Sequence, residues 1–411
     1  MPGGLDRYYN IVFHFGEIDL SLMLDQVDIL YTMSSVYPIV TIKFKCDSQQ
    51  LTQEELYGQS DCKVEIMLTT ESAEVLDMIE LDLLVIKPNM DYGSKSEVTP
   101  QDHPRSNNIS LICIPKAAFE TMSTTINYTF PYDNPMYPVD AVSKLVQIFT
   151  PNAKPMIDKN NHNDEPMYQM IVPPMSLSRA IPYIDFYHAI YKGPLFYFTT
   201  WDNKFTMCDL SFIIQQTEIY TVHFLSRGKK DNDIYDDIAQ NQDTVFYTYT
   251  PFQTDYAGNQ MKMVEGGKLI GVAKPSDNLF HQTSTTAQQV FDDNAPKDSG
   301  KFLSHDQLKN RVTVANTLYT GSEYSDTIIR SRMASKIAKM SKFKFKLDRN
   351  IFLKNVLNVG IPISLIPENM SYQGHAGKYL VSETHVTLTK DATSFFNCVA
   401  EISVVRANIL T

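Results

Sequence analysis

The sequence predicts a mixed β fold with an inserted α/β unit. Both ends of the chain contain short segments rich in β-branched and aromatic residues, which are typical of strands. A proline-rich stretch at 128–138 ends the first of these regions. Two segments whose apolar residues recur at helical spacing follow it, so we expect an α/β insertion between two β-rich regions.

The first 130 residues predict a β-barrel domain. Six strand-like segments lie at 11–15, 26–33, 39–46, 62–69, 79–87 and 109–115. In the third segment the polar residues Thr41, Lys43 and Lys45 alternate with apolar ones. One face of the sheet is therefore expected to be buried and the other hydrated, as in a barrel or a sandwich.

Residues 131–215 predict the α/β insertion, with two helices and a hairpin. The first helix is expected over residues 139–149, and the second after Ser176, a possible N-cap. Pro182, the seventh residue of the second segment, is expected to end or kink that helix. Asp202 and Asn203 separate two strand-like runs and predict the turn of the hairpin.

The rest of the chain predicts a second β-barrel domain in two parts, 216–275 and 322–411. Strand-like segments are found at 220–225, 245–249 and 268–273. The polar stretch 282–300 predicts an exposed loop, so residues 276–321 are assigned to an inserted polar loop region. The second part begins with a basic amphipathic segment at 324–342 and continues in strands.

Composition and charge restrict the possible functions. The 411 residues are 43% hydrophobic and 20% charged, which is sufficient for two or three domains with buried cores. No segment reaches the roughly 18–20 consecutive apolar residues that cross a bilayer, and no signal-peptide pattern opens the chain, so membrane insertion and secretion are not expected. The net charge of -11 argues against general nucleic-acid binding, because Lys and Arg supply most duplex affinity.

The five cysteines predict buried, reduced thiols and assembly inside a cell. They are odd in number and widely spaced, and no CxxC pair is present. Neither a disulfide framework nor a zinc site is therefore expected. Most of the cysteines lie in apolar, strand-like segments, where a free thiol behaves as a small hydrophobic group.

The sequence assigns no catalytic, cofactor-binding or metal-binding residue. The usual nucleophile, phosphate-loop and zinc-protease motifs are absent. His162 and Glu165 belong to a short polar cluster, but adjacent residues of one loop rarely converge on a metal ion. The acidic run that starts at Asp231 lacks the Gly and Glu of a calcium loop, because Asp236 and Gln242 stand at those positions. We therefore expect a solvated acidic turn.

The basic segment 324–342 is open to three interpretations. Its apolar residues recur at helical spacing, and Arg330, Arg332, Lys336, Lys339 and Lys342 are its cationic residues. Its basic face could be solvated, contact an acidic protein surface, or bind DNA. The third interpretation has the least support, because no aromatic residues are interleaved with the charges.

The end of the chain resembles a known protein family. The pattern Asn-x-x-x-x-Gly-x-Pro-Ile-x-Leu runs from Asn355 to Leu365. Within it, Gly360 predicts a tight turn and Pro362 predicts an edge or first strand position. A second pattern contains Gly377, Tyr379, Val381 and His385. We interpret His385 as a strand residue rather than a catalytic base. A final strand is expected at 398–406. Together with the preceding order of strands and helices, this closing motif resembles the baseplate hub proteins of contractile-tailed phages and the related late-control and VgrG-type hubs.

The resemblance implies a structural virion protein without a cofactor. Three copies would form a hub in which each chain supplies two tail-tube-like antiparallel β-barrels. This homotrimer would join the sixfold tail tube, or its initiator proteins, to a threefold spike, and would surround the channel for DNA and the tape measure protein. Because no needle repeat follows the closing motif, the spike is expected to be a separate protein.

Two other functions remain open at the level of the sequence. The aromatic-rich insertion could hold sugars, as in a tail-associated peptidoglycan hydrolase, whose carboxylate pair needs only proximity in space. A carbohydrate-binding tail module would instead require surface aromatics. The single Trp gives the carbohydrate-binding module little support.

Overall fold

The computed structural model describes residues 7–33, 35–47, 61–70, 72–91, 106–150, 154–193, 195–213, 215–225, 244–248, 253–254, 269–273, 312–316, 343–348, 351–367, 376–392 and 395–406. Strands dominate these residues, and the few helices cluster in the middle of the chain. The predicted mixed β fold is confirmed in this respect. The basic segment 324–342, the acidic run 231–237 and the polar stretch 282–300 lie outside the described residues.

The described part of the N-terminal region forms seven strands, which include the six predicted ones. Their bounds are β1 Arg7–Phe15, β2 Ile18–Asp19, β3 Leu24–Thr32, β4 Ile39–Asp47, β5 Asp61–Thr70, β6 Val75–Asp91 and β7 Ser106–Pro115. In β5 each second residue is buried, as the alternation of side chains in a strand requires. One face of these strands therefore lines a core.

Among the described residues, the helical region begins before the predicted boundary at residue 131 and contains two short helices more than the sequence predicted. Its elements are α1 Lys116–Ser123, β8 Thr125–Phe130, α2 Pro138–Phe149, β9 Met156–Ile157, β10 Met170–Ser176, α3 Leu177–His188, β11 Leu195–Thr199, β12 Phe205–Asp209 and α4 Leu210–Ile213. The predicted hairpin is confirmed as the antiparallel pair β11 and β12, with Asn203 at φ 59° in its turn. The helices α1 and α4 were missed because their eight and four residues are too short to show a periodic pattern.

The remaining strands follow in the C-terminal half. They are β13 Tyr220–Phe224, β14 Val245–Thr248, β15 Gln253–Thr254, β16 Leu269–Ala273, β17 Val312–Asn316, β18 Phe343–Asp348, β19 Pro362–Pro367, β20 Gly377–Lys390 and β21 Phe396–Arg406. A short helix, α5 Leu353–Val356, precedes β19. The last two strands are long enough to pair with different neighbours along their lengths.

Eight strands pair in a closed circuit, which we call the large ring. Its order is β20, β3, β4, β7, β6, β5, β1 and β21, and β21 pairs with β20 to complete the circuit. Six of these strands come from the N-terminal region and two from the C-terminal region. The two β-rich regions of the sequence therefore share one sheet, and their division into separate domains stays a prediction.

A second group of six strands, the small array, extends from the same two long strands. Its order is β14, β13, β19, β20, β21 and β18. The Thr248 hydroxyl of β14 donates a hydrogen bond to the Lys346 carbonyl of β18 at 2.7 Å, so the two outer strands lie side by side. The register of β20 on β21 shifts between Val381 and Glu383, where β20 passes from the small array to the large ring.

The described residues form two hydrophobic cores, which meet at the sheet of β9, β12 and β11. The first core fills the large ring and the small array and includes Phe196, Phe198 and Cys208 of the hairpin. The second core lies within the insertion and includes Phe205 and Met207. Neighbouring residues of one hairpin thus enter different cores, so this small sheet joins the insertion to the rest of the chain.

Pro182 lies inside α3, where the expected end of the helix does not occur. A proline cannot donate a hydrogen bond to the carbonyl four residues earlier, which here belongs to Ser178. The Tyr197 hydroxyl of β11 donates to that carbonyl at 3.2 Å. The hairpin therefore supplies the hydrogen bond that the proline removes.

We expect the Tyr197→Phe variant to lose about 1–2 kcal/mol of unfolding free energy, because the Ser178 carbonyl would lose its partner. Urea unfolding of both proteins measures the difference. Burial raises the pKa of Tyr197 to about 12, so the hydroxyl stays protonated and the effect should not change between pH 6 and pH 9. Restoring the helical donor with Tyr197→Phe/Pro182→Ala should recover stability, and a double variant no more stable than Tyr197→Phe would contradict this account.

Candidate assembly surfaces

The closing motif forms the joint between the large ring and the small array. Gly360 has φ +71°, and its N–H donates to the Val381 carbonyl at 2.8 Å. The Val381 N–H donates in turn to the Ile361 carbonyl at 3.0 Å. Pro362 is the first residue of β19. The tight turn predicted at Gly360 and the strand position predicted for Pro362 are both confirmed.

This joint is in close contact with the insertion. A Cβ atom built on Gly360 would lie 2.2 Å from Cε1 of Phe196, so the backbone of the turn fits against that ring only without a side chain. The hairpin is held at a second point, where the Thr199 N–H donates to the Val36 carbonyl at 2.7 Å. Through these contacts the hairpin touches both the joint and the turn between β3 and β4.

The other apolar residues of the closing motif belong to the first core. Ile363, Leu365, Tyr379 and Val381 are all fully buried. The Tyr379 ring packs edge-to-face against Phe343, with centroids 5.4 Å apart. The pattern that carried the family resemblance therefore specifies packing and a turn.

His385 lies on the outer face of the large ring, as a strand residue of β20, and this prediction is confirmed. Its Nε2 lies 3.9 Å from Oδ1 of Asp28 on the neighbouring strand β3. The same carboxylate accepts a hydrogen bond from the Thr387 hydroxyl at 3.0 Å and pairs with Lys43 at 3.4 Å. His385 is thus one member of a polar ladder across three strands.

The outer face of β5 and β6 is rich in acidic residues. Lys63 lies 2.8 Å from both Glu65 and Glu80, and hydrogen bonds to these two carboxylates raise the pKa of Lys63 above its usual range. Lys116 at the start of α1 lies 2.8 Å from Asp82 and 3.6 Å from Asp61. These pairs therefore contain four carboxylates and only two lysines. Exposed pairs of this kind contribute about 0–1 kcal/mol each, so their main effect is on the charge of the surface.

An apolar surface adjoins these charges on the outer sides of β1, β5 and β6, and we call it the β1–β6 face. The Tyr8 and Phe395 rings stack with centroids 4.6 Å apart, and Met67 lies opposite Met78 in the ladder. Val75 and Met78 are 49% and 45% exposed, although they are strand residues. Exposed apolar groups with a charged rim are typical of protein–protein contacts.

Lys344 and Lys346 of β18 form salt bridges with the carboxylate of Glu401 on β21. We therefore expect the Glu401→Gln variant to lose unfolding free energy by an amount that depends on pH. The two Nζ atoms lie 2.9 Å and 2.5 Å from the Glu401 oxygens, and hydrogen bonds to them lower the pKa of Glu401 from 4.5 to about 2. A carboxyl group whose pKa is lower in the folded state than in the unfolded state stabilises the fold at pH values above its unfolded-state pKa. This stabilisation is lost as the pH falls through the folded-state pKa.

The variant should therefore be less stable than the parent by about 0.5–1 kcal/mol at pH 7, and the difference should disappear between about pH 4.5 and about pH 2. Urea unfolding of both proteins at pH 7, 4 and 2.5 measures this difference in unfolding free energy. The exposed Glu17, changed to Gln, is the matched control. A difference that stays constant with pH would contradict the assignment.

The polar cluster that includes His162 does not converge on a shared point. His162 Nδ1 lies 2.6 Å from the Lys159 carbonyl, and its Nε2 lies 3.8 Å from Asp164. The Asp164 carboxylate forms a salt bridge with Lys192, whose hydrogen bond lowers the pKa of Asp164. Within the ranges that the structure describes, no group of three or more His, Cys, Asp or Glu residues could hold a metal ion.

All five cysteines are buried and free, which confirms their predicted burial. Sγ of Cys62 lies 3.6 Å from Sγ of Cys113 inside the large ring. Contact with Cys62 and burial raise the pKa of Cys113 well above its ordinary value, so this thiol is protonated at neutral pH. The pair therefore packs as two small hydrophobic groups.

The fold is that of solved phage tail proteins. A tail protein from Neisseria meningitidis MC58 superposes with a TM-score of 0.58 at 10% identity, with 98% of each chain covered. The 43 kDa tail protein of prophage MuSo2 from Shewanella oneidensis gives 0.55 at 11% identity, again over 98% of both chains. A half-lidded Francisella PdpA–VgrG complex gives 0.51 at 8% identity, over 97% of this chain and 58% of the other.

These similarities hold at the level of structure, and the resemblance inferred from the closing motif is confirmed as a likeness of fold. No protein-family model and no curated protein matches the sequence. Among the residues whose structure is described, no helix is both long and apolar enough to span a membrane.

Proposed function

We propose that this chain, which has the fold of phage tail proteins, is a structural protein of a tail baseplate. In this proposal it is the central hub, a homotrimer that joins a sixfold tail tube to a threefold spike and surrounds the channel for DNA and the tape measure protein. It would be assembled in the host cytoplasm and would reside in the virion.

The observation that carries the proposal is the pairing of β20 and β21 with two groups of strands. We propose that the large ring and the small array act as two tail-tube-like barrels, with residues 131–215 and 276–321 as insertions. Three chains would then present six barrels. Six equivalent contacts toward the tube and three toward the spike would solve the symmetry mismatch between them.

The surfaces of the chain support a structural role in an assembly. The β1–β6 face offers exposed apolar side chains with a charged rim, as protein interfaces do. The acid-rich outer face of β5 and β6 would repel DNA if it lined the channel. Partners in this proposal are the spike protein, the tube or tube-initiator proteins and the tape measure protein.

Mass measurement tests the proposal. Native mass spectrometry of the purified chain and quantitative labelling of assembled tails should both give three copies, and a density map of the tail should place them on its axis. A stable monomer inside assembled tails, or a position away from the axis, would overturn the hub. The hydrolase alternative is tested by an assay on purified cell walls: lysis that is lost on mutation of one carboxylate would support it instead.

A further inference from the structure

Three exposed tyrosines lie in two segments of the insertion that are bridged to each other, and we call these tyrosines the tyrosine platform. Tyr132, Tyr168 and Tyr137 expose 65%, 50% and 41% of their surfaces. All three lie in the segments that flank α2 and β10. Buried tyrosines contribute to a core through their rings, but these tyrosines are exposed.

The platform is held in a fixed arrangement. Met136 and Met167 form an antiparallel bridge, with N–H to carbonyl distances of 3.2 Å and 2.9 Å, so the residues next to them are brought together. The Tyr132 and Tyr168 rings then lie 6.1 Å apart at an interplanar angle of 36°. The Tyr137 ring contacts His162 edge-on at 5.4 Å. Such an arrangement loses little conformational entropy when a ligand binds.

Exposed polar residues are the neighbours of two of these tyrosines in the sequence. Asp133 and Asn134 follow Tyr132 directly, Gln169 follows Tyr168, and all three are exposed. Asp133 makes no salt bridge within the described part of the chain, in contrast to Asp164, which pairs with Lys192. A carboxylate and two amides next to aromatic faces can accept and donate hydrogen bonds at the edge of a ligand that stacks on the rings.

We propose that the tyrosine platform binds a β-linked pyranose glycan. In β-linked glucopyranose units the ring hydroxyls are equatorial, so the axial C–H groups form apolar faces that can stack on aromatic rings. The platform offers such rings, with exposed carboxylate and amide side chains adjacent in sequence. A protein partner would bury about 800 Å² on each side, whereas two tilted rings match one or two sugar units. Tyr serves this role well because its ring is large and its rotamers are few.

The proposal changes one expectation from the sequence. The single Trp argued against a carbohydrate-binding surface, and Trp201 is indeed partly buried against the first core. Tyrosine rings can replace it as the stacking groups, since each has the same kind of apolar face. The site would bind without cleaving, so it is independent of the hydrolase alternative and of the trimer.

Titration of the full chain with defined oligosaccharides tests the proposal. Chitotetraose and cellotetraose are both β-linked and differ in their N-acetyl groups, so they distinguish a peptidoglycan-like source from other glycans. Calorimetry and saturation-transfer NMR should detect binding of one of them. We expect Tyr132→Ala and Tyr168→Ala to weaken it by about tenfold each, and Tyr132→Phe to change it less than about twofold, because stacking needs the ring alone.

Controls separate binding from folding and from assembly. Phe186 is a 49% exposed aromatic residue of α3, and Phe186→Ala should bind as the parent does. The platform variants should keep the parent's melting temperature and copy number. Binding of neither sugar would overturn the proposal, and so would a Tyr132→Ala variant that binds normally. If instead the platform variants changed the copy number without any sugar binding, the platform would be a protein contact.

Discussion

The Gly360→Ala variant should lose about 2–5 kcal/mol of unfolding free energy, the largest effect expected from adding one methyl group. Two costs combine at this position. Gly360 has φ +71°, and a residue other than glycine in this left-handed conformation costs about 1–2 kcal/mol. The added Cβ would also lie 2.2 Å from the Phe196 ring, and overpacking costs about 1–3 kcal/mol.

A second glycine in the same motif provides the control. Gly377 also has a positive φ, +134°, but a Cβ built there has no atom within 4 Å. Gly377→Ala therefore reports backbone strain without a clash. Urea unfolding should show that Phe196→Leu recovers part of the stability in the Gly360→Ala background. If the two substitutions are additive, the clash is not the cause.

The Phe345→Ala variant should lose about 3–5 kcal/mol, because it removes a ring from the middle of the small array. Phe345 is 2% exposed and packs edge-to-face on Phe224, with centroids 5.4 Å apart. It lies on β18 opposite Ile402 of β21, so its side chain connects one of the two long strands to β13. No small side chain can fill the space that the ring would leave.

Denaturant unfolding measures this loss, and two variants bracket it. Phe395→Ala removes a ring that is 38% exposed and should cost much less. Phe345→Leu keeps most of the volume and should also cost less than Phe345→Ala. Should Phe345→Ala unfold at the same urea concentration as Phe395→Ala, the side chain would not be part of a core that stabilises the fold.

Much of the fold was predictable from local patterns in the sequence. Alternation in segments such as 39–46 predicts strands because each residue of a strand points to the opposite face from the next. The hairpin turn at Asn203 and the turn at Gly360 were predicted from residues that accept a positive φ. The burial of the cysteines followed from their apolar neighbours.

Long-range relations were not predictable in the same way. Pro182 was expected to end or kink α3, and nothing in the sequence indicated that the Tyr197 hydroxyl, which lies outside the helix, supplies the missing hydrogen bond. Nothing in the local pattern of residues 7–15 indicates that β1 pairs with β21. The sequence indicated an aromatic-rich insertion that could hold sugars, but it did not locate the tyrosine platform. Tyr132 and Tyr168 are distant in the sequence, and the bridge between Met136 and Met167 brings their segments together.

The pairing of β1 with β21 also determines when the protein can fold. Tyr9 lies opposite Phe396 in the ladder, so the large ring joins residues from nearly opposite ends of the sequence. Such contacts have a high contact order, and closing so long a loop is slow. During synthesis the N-terminal strands must wait for residues 396–406 to leave the ribosome, with the edges of β1 and β3 unpaired on one side. The period of greatest aggregation risk is therefore the translation of the chain.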